Sequence, residues 1–183
     1  MRFKDKVAVV TGGGTGIGAA IAKRLIAEGA RVILTGRRAE VLIATAAPLG
    51  ALHFAADAAD AAQMQALAAF ALAQVGGIDI LVANAGAHGF SPLGSTTDAD
   101  WVASTEGNLN TAFVAIRELL PALLSQQGNV IVVSSLAGLF AGPEAVGYVT
   151  MKHALIGLVK SLARDYGPQG LRANAICPGW VRT

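Results

Sequence analysis

The chain has 183 residues, 54% of them hydrophobic and 14% charged, with a formal net charge of +2. The charged fraction is well below the usual quarter and the apolar fraction is enough to drive collapse, which excludes a disordered chain; the length suits one domain, residues 1–183, with a sizeable core. The Lys and Arg residues are scattered, which excludes a phosphate-tracking stripe for nucleic acid. The single cysteine, Cys177, excludes a disulfide framework and a Cys-based zinc cage, and no metal site is expected. No uninterrupted apolar run reaches the roughly 18 residues of a membrane span. Residues 1–6 carry no apolar signal-peptide core, so the expected location is a reducing cytoplasm.

Taken in chain order, strand-length apolar runs fall at 7–11, 31–35, 51–56, 78–83, 129–134 and 171–176. They are short and mostly apolar on both faces, as strands buried in a parallel sheet are. Helical stretches at 16–28, 39–47, 59–75, 98–126 and 145–166 alternate with them, and the Ala-rich stretch 55–73 reads mostly as an amphipathic helix of small residues. Gly29, Gly76-Gly77 and Gly128 follow helices, where a left-handed cap is wanted, and Asp98 suits an N-cap before Trp101. This alternation predicts an α/β fold: a doubly wound parallel sheet of Rossmann-like type in three layers, with six strands present.

The most informative segment is Val7-Ala8-Val9-Val10-Thr11-Gly12-Gly13-Gly14-Thr15-Gly16-Ile17-Gly18, which leaves the first strand and opens the first helix. Glycine permits the tight turn and a close approach of backbone to ligand, and the helix N-terminus offers free N–H groups to a pyrophosphate. The plain alternative is a tight strand-to-helix turn without a ligand. No Lys-Ser/Thr pair follows, which disfavours a nucleotide triphosphatase loop. Thr11, Gly12, Gly16 and Gly18 read T-G-x-x-x-G-x-G, and this resembles the short-chain dehydrogenase/reductase family in its compact single-domain type. The extended type would need a glycine where Thr15 stands. The resemblance implies cofactor contacts at Thr11, Gly12, Gly14, Thr15, Gly16, Ile17 and Gly18.

Choice of cofactor rests on the end of the second strand. An acidic residue there would bind a ribose 2′-hydroxyl and repel a 2′-phosphate. Gly36 takes the place where NAD-preferring relatives carry Asp, and Arg37 follows, a guanidinium suited to phosphate, so NADP(H) is favoured over NAD(H). The plain reading is that Arg37 and Arg38 are a solvated helix start; Thr15 stands where firmer NADP binders have a second basic residue. Asp57 resembles the family's adenine-amine acceptor, with an ordinary helix N-cap as the equal alternative. Asn84-Ala85-Gly86 matches the family's N-N-A-G motif with Ala83 in place of the first Asn, so Asn84 is expected to brace the sheet and Gly86 to admit the cofactor. Pro178-Gly179-Trp180-Val181-Arg182-Thr183 resembles P-G-x-x-x-T, which implies that Pro178 and Gly179 face the nicotinamide and that Val181 and Thr183 bind its carboxamide.

Tyr148 and Lys152 form Y-x-x-x-K, and side chains four apart share one helix face. A free phenol titrates near 10 and is a poor acid–base catalyst at neutral pH; a cation one turn away and an oxidised nicotinamide favour the phenolate. By the family's 13-residue spacing, Ser135 rather than Ser134 is the hydroxyl that polarises a substrate carbonyl. Asn108, with Asn110 as the competing choice, resembles the family's Asn that holds a proton-passing water for Lys152, and Thr111 stands where the family pattern has Gly. Asn108, Ser135, Tyr148 and Lys152 are therefore the implied catalytic set, with Tyr148 and Lys152 also touching cofactor.

The resemblance implies an NAD(P)-dependent oxidoreductase that moves hydride between nicotinamide and a ketone or secondary alcohol, possessing no nucleic-acid or membrane partner. Relatives run longer, so the family's substrate loop and last strand are expected to be absent from these residues. The alternative is a catalytically incomplete dinucleotide-binding fragment or a non-catalytic homologue. Helices 98–126 and 145–166 resemble the family's dimer bundle, implying a homodimer or homotetramer. His88 falls near the expected pocket edge as an ordinary loop residue, His53 and His153 have no evident partner, and Cys177 reads as a buried apolar side chain.

Overall fold

The computed structural model describes residues 1–87 and 89–183; His88 lies outside the described residues. One parallel sheet contains β1 (Val7–Thr11), β2 (Arg31–Gly36), β3 (Leu52–Ala55), β4 (Ile80–Ala83), β5 (Asn129–Val133) and β6 (Arg172–Ile176). Their spatial order is β3-β2-β1-β4-β5-β6. Between them run α1 (Gly16–Ala27), α2 (Ala39–Ala46), α3 (Ala61–Val75), α4 (Asp98–Thr105), α5 (Thr111–Ser125) and α6 (Val146–Tyr166).

Side chains alternate between the faces of a strand, and β1 shows what that does here. Ala8 and Val10 pack with Ala22 and Leu25 of α1 and Leu42 of α2 on one face. Val7 and Val9 pack on the other, in the core built by Met64 and Leu67 of α3, Leu119 and Leu123 of α5, and Leu155 of α6. Burying each such Leu or Met stabilises the fold by about 1.5–3 kcal/mol. The result is three layers, helix–sheet–helix. The chain steps outward from β1 through β2 to β3, then crosses back to β4 on the other side of β1. The connections after β1 and β4 therefore diverge and leave a crevice at the carboxyl ends of the strands.

Several local expectations change. Apolar burial on both faces holds for β1 and β4, but β3 and β6 lie at the sheet edges and alternate toward solvent. The expected helix 98–126 is present, running without interruption from Asp98 to Ser125, but it changes winding: a π-helical turn, Glu106–Asn110, joins α4 to α5. Asp98 is not the N-cap of α4. Thr97 is, and its hydroxyl accepts the Asp100 N–H while the Asp100 carboxylate accepts the Thr97 N–H, a reciprocal capping box. After α5 the left-handed residue is Gln127 (φ +48°), not Gly128. Gly128 serves close packing instead, since a Cβ there would lie 2.8 Å from the Asp79 carbonyl oxygen. Gly76 does cap α3 in the left-handed form at φ +83°.

Candidate functional site

The turn between β1 and α1 depends on its glycines. Gly12 has φ +61° and Gly16 φ +52°, a backbone that side chains resist. Gly18 lies directly under the turn: a Cβ there would stand 2.3 Å from the Gly12 carbonyl oxygen. Three elements pin the loop from outside. The Gly13 N–H donates to the Thr35 carbonyl of β2 at 3.1 Å. The Asn84 side-chain amide donates to the carbonyls of Thr11 at 3.0 Å and Gly12 at 3.3 Å. The Thr45 hydroxyl of α2 donates to the Gly14 carbonyl at 2.8 Å. In return the buried Thr11 hydroxyl accepts the N–H groups of Asn84 and Ala85 at 3.0 and 2.9 Å. The ends of β1 and β4 are thus laced together where the strand order reverses.

These loops wall a cleft of about 860 Å³, within the roughly 300–1,000 Å³ of cofactor and ligand sites. Gly12, Gly14, Thr15, Gly16 and Ile17 line it from the first turn, and Gly36, Arg37 and Arg38 from the end of β2. Asp57 lines it after β3, Asn84, Ala85 and Gly86 line it after β4, and Thr183 lies across it against Gly16. Thr11 and Gly18 support the turn from below. The residues fit a dinucleotide: a helix N-terminus behind the glycine turn for a pyrophosphate, two exposed guanidiniums at one end, and a narrow backbone approach at Gly86. Asp57 is not the cap of α3; Asp60 is, accepting the Gln63 N–H at 3.0 Å, while Asp57 accepts the Ala59 N–H and faces the cleft.

A second group of residues meets the cleft at Gly86. A Cβ built there would lie 3.4 Å from Lys152 Nζ and 3.6 Å from Asn108 Oδ1. Asn108 is fully buried on the π-helical turn, where its Oδ1 accepts the Ala87 N–H at 3.2 Å and its Nδ2 donates to the Ser104 carbonyl at 3.0 Å. Asn110 ends the same turn, partly buried. The Thr111 hydroxyl donates to the Ala85 carbonyl at 3.1 Å, so the residue that departs from the family's Gly supplies a tie from α5 to the end of β4.

Lys152 is 5% exposed. Its ammonium donates to the Val133 carbonyl at 3.3 Å and stands 5.5 Å from the centre of the Tyr148 ring, one turn back along α6. Burial pushes the Lys152 amine down to about 8, an effect that Cys177 partly opposes. The Tyr148 ring packs against Phe90, with centroids 5.4 Å apart, and its backbone N–H donates to the Gly89 carbonyl. The two serines after β5 separate in role. Ser134 is buried and donates to the Lys152 backbone carbonyl at 2.9 Å; Ser135 is partly exposed, its oxygen accepting the Ala137 N–H at 3.1 Å.

Beyond β6 the Pro178 carbonyl accepts the Leu136 N–H, and Gly179 lies against the Leu136 side chain, beside the Ser135 loop. Val181 is half exposed. Cys177 is only partly buried rather than fully, His53 is exposed at the β3 edge, and His153 contacts the Val149 carbonyl. Sequence reading missed Thr45 and the cleft-lining Glu106 and Gly107. A threonine inside a helix carries no local sign of what it touches across the fold, and the other two reach the cleft only through the π-helical turn. Among the described residues no cluster of three or more His, Cys, Asp or Glu is placed to hold a metal, and no helix is long and apolar enough to cross a membrane.

Residues 6–183 match the model of the short chain dehydrogenase family. The chain is 46% identical over 180 residues to Protein MoaE of Klebsiella aerogenes, spanning 97% of this chain and 69% of that protein. It is 38% identical over 185 residues to the granaticin polyketide synthase putative ketoacyl reductase 1 of Streptomyces violaceoruber, spanning 97% and 68%. The crystal structure of levodione reductase superimposes with a TM-score of 0.93 at 35% identity, covering 97% of this chain and 72% of that one.

Proposed function

The chain belongs to the short-chain dehydrogenase family of NAD(P)-dependent oxidoreductases acting on alcohol and carbonyl groups, and on that premise we propose that it is an NADP(H)-dependent carbonyl reductase with Tyr148 as its acid–base group. The observation that carries this reading is the meeting of Lys152 and Asn108 at Gly86, on the wall of a dinucleotide-sized cleft, with Tyr148 one turn from Lys152.

Gly12 to Ile17 would hold the pyrophosphate, Arg37 with Arg38 the ribose phosphate, Asp57 the adenine amine, and Pro178, Gly179, Val181 and Thr183 the nicotinamide end. When bound, the dihydronicotinamide supplies the hydride to the carbonyl carbon. Tyr148 gives its hydroxyl proton to the carbonyl oxygen as that oxygen gains charge, so the ketone becomes a secondary alcohol and the phenol a phenolate. The Ser135 hydroxyl donates to the same oxygen and orients it. Lys152 supports the phenolate through the positive charge it holds 5.5 Å from the centre of the Tyr148 ring. Asn108, buried beside Lys152, holds the route by which a proton returns to Tyr148. The cation is itself expensive to bury, and the Val133 carbonyl offsets part of that. The assembly expected is a homodimer or homotetramer through the α4–α5 helix and α6.

The test is NADPH oxidation against a panel of ketones and β-ketoacyl thioesters. Tyr148→Phe is expected to keep NADPH affinity and lose roughly 10²–10⁴-fold in kcat. Undiminished turnover in that variant would remove the mechanism.

A further inference from the structure

Lys152 is held at both ends by two consecutive residues. Its ammonium donates to the Val133 carbonyl at 3.3 Å, and its backbone carbonyl accepts the Ser134 hydroxyl at 2.9 Å. Ser134 is 4% exposed, so this bond is made away from water, where loss of the hydroxyl is not made good by solvent. Gly138 closes the arrangement: a Cβ there would stand 2.5 Å from Ser134 Oγ and 2.6 Å from the Lys152 carbonyl oxygen. A carbonyl inside an α-helix already has an N–H directed at it from the next turn. A hydroxyl reaching it from another element adds nothing the helix needs for itself. What it does is set the height and rotation of α6 against β5 at the residue before Ser135.

We propose that Ser134 is a positioning residue that fixes Lys152 against β5, keeping its ammonium under Tyr148 instead of letting the long stem turn out to water. The inference rests on the roles given above to Lys152 and Tyr148. Without the Ser134 bond the helix backbone can slide, and a lysine stem readily carries its charge to solvent. Among the described residues, the groups near the ammonium are Tyr148 on its own helix, Cys177 beyond β6, the neutral Asn108 on the π-helical turn, the Val133 carbonyl of β5 and Gly86 after β4.

The experiment compares wild type with Ser134→Ala, and with Gly138→Ala, which forces the same two atoms apart from the other side. Three quantities are read: kcat and KM for a ketone, NADPH affinity with melting temperature, and the pH of half-maximal acylation of the Lys152 amine in cofactor-free protein, followed by peptide mass spectrometry. Both variants are expected to lose kcat by roughly tenfold, with a smaller fall in NADPH affinity because Lys152 also touches the cofactor. The acylation midpoint is expected to climb from about 8 toward the ordinary 10.5. Unchanged kcat and midpoint in Ser134→Ala overturn the proposal. So does a joint fall of kcat, affinity and melting temperature with the midpoint unmoved, since that is a merely structural role. A wild-type protein that reduces no ketone overturns the catalytic reading, while the acylation midpoints still decide whether Ser134 fixes Lys152.

Discussion

Gly18 of α1 lies so close beneath Gly12 that a methyl group on it would sit 2.3 Å from the Gly12 carbonyl oxygen and 2.7 Å from the Asn84 amide nitrogen. Neither neighbour can yield, because one is backbone and the other holds β4 to β1. Gly18→Ala is therefore expected to cost at least about 2 kcal/mol, the scale of overpacking in a closed site, and to weaken NADPH binding with it. Urea unfolding at constant m checks the first; a fluorescence titration with NADPH checks the second.

Arg37 stands at the cleft rim after Gly36, with Arg38 beside it and no acidic side chain at the end of β2. A charge-assisted hydrogen bond to phosphate is worth about 1.5–3 kcal/mol. Arg37→Asp replaces that attraction with repulsion and supplies an acceptor for a ribose hydroxyl. The ratio of kcat/KM for NADPH over NADH is expected to fall by about tenfold or more; a ratio that stays put sinks the assignment of the ribose phosphate to this residue.

Lys152 makes stability depend on pH in a defined direction. Its amine titrates near 8 in the folded chain against 10.5 when unfolded. Between those values the unfolded chain holds a proton that the folded chain has released, so stability rises with pH through that window. Below about pH 8 the buried charge costs the fold up to about 3 kcal/mol. Lys152→Met is expected to raise the melting temperature at pH 7, to flatten its rise between pH 8 and 10, and to abolish turnover. Thermal melts across that range measure it. In the wild type, support of the phenolate is expected to fade as the pH passes about 8 and the ammonium loses its charge.

The sheet was legible because its strands are short apolar runs separated by caps and glycines, and a buried parallel strand leaves little else for such a run to be. The glycine turn was legible for a similar reason: few folds need glycines at those positions of one strand-to-helix connection. The wider π-helical turn at Glu106–Asn110 was not. Trp101, Ser104, Asn108, Ala112 and Ala115 keep a helical spacing across it, and the bond from Ala87 to Asn108 that accompanies the wider turn comes from a distant loop. Asp98 and Thr97 are both good caps; the choice falls to Thr97 through its pairing with Asp100 three residues on. Ser134 and Ser135 are identical in type and adjacent, and only the position of α6 gives one a helix carbonyl and leaves the other beside the Pro178 segment.

About half of the residues lining the cleft are small, with Gly12, Gly14, Gly16, Gly36, Gly86 and Gly107 joined by alanines at 56, 58, 59, 85, 87 and 103. A surface of that kind recognises shape and backbone polarity, and almost any exchange in it fills space the guest requires. Changes that retune the guest without evicting it are confined to the few larger side chains on the border, chiefly Arg37, Arg38, Asp57 and Glu106. Redesign of nucleotide preference in this scaffold is a matter of editing that border and leaving the lining alone.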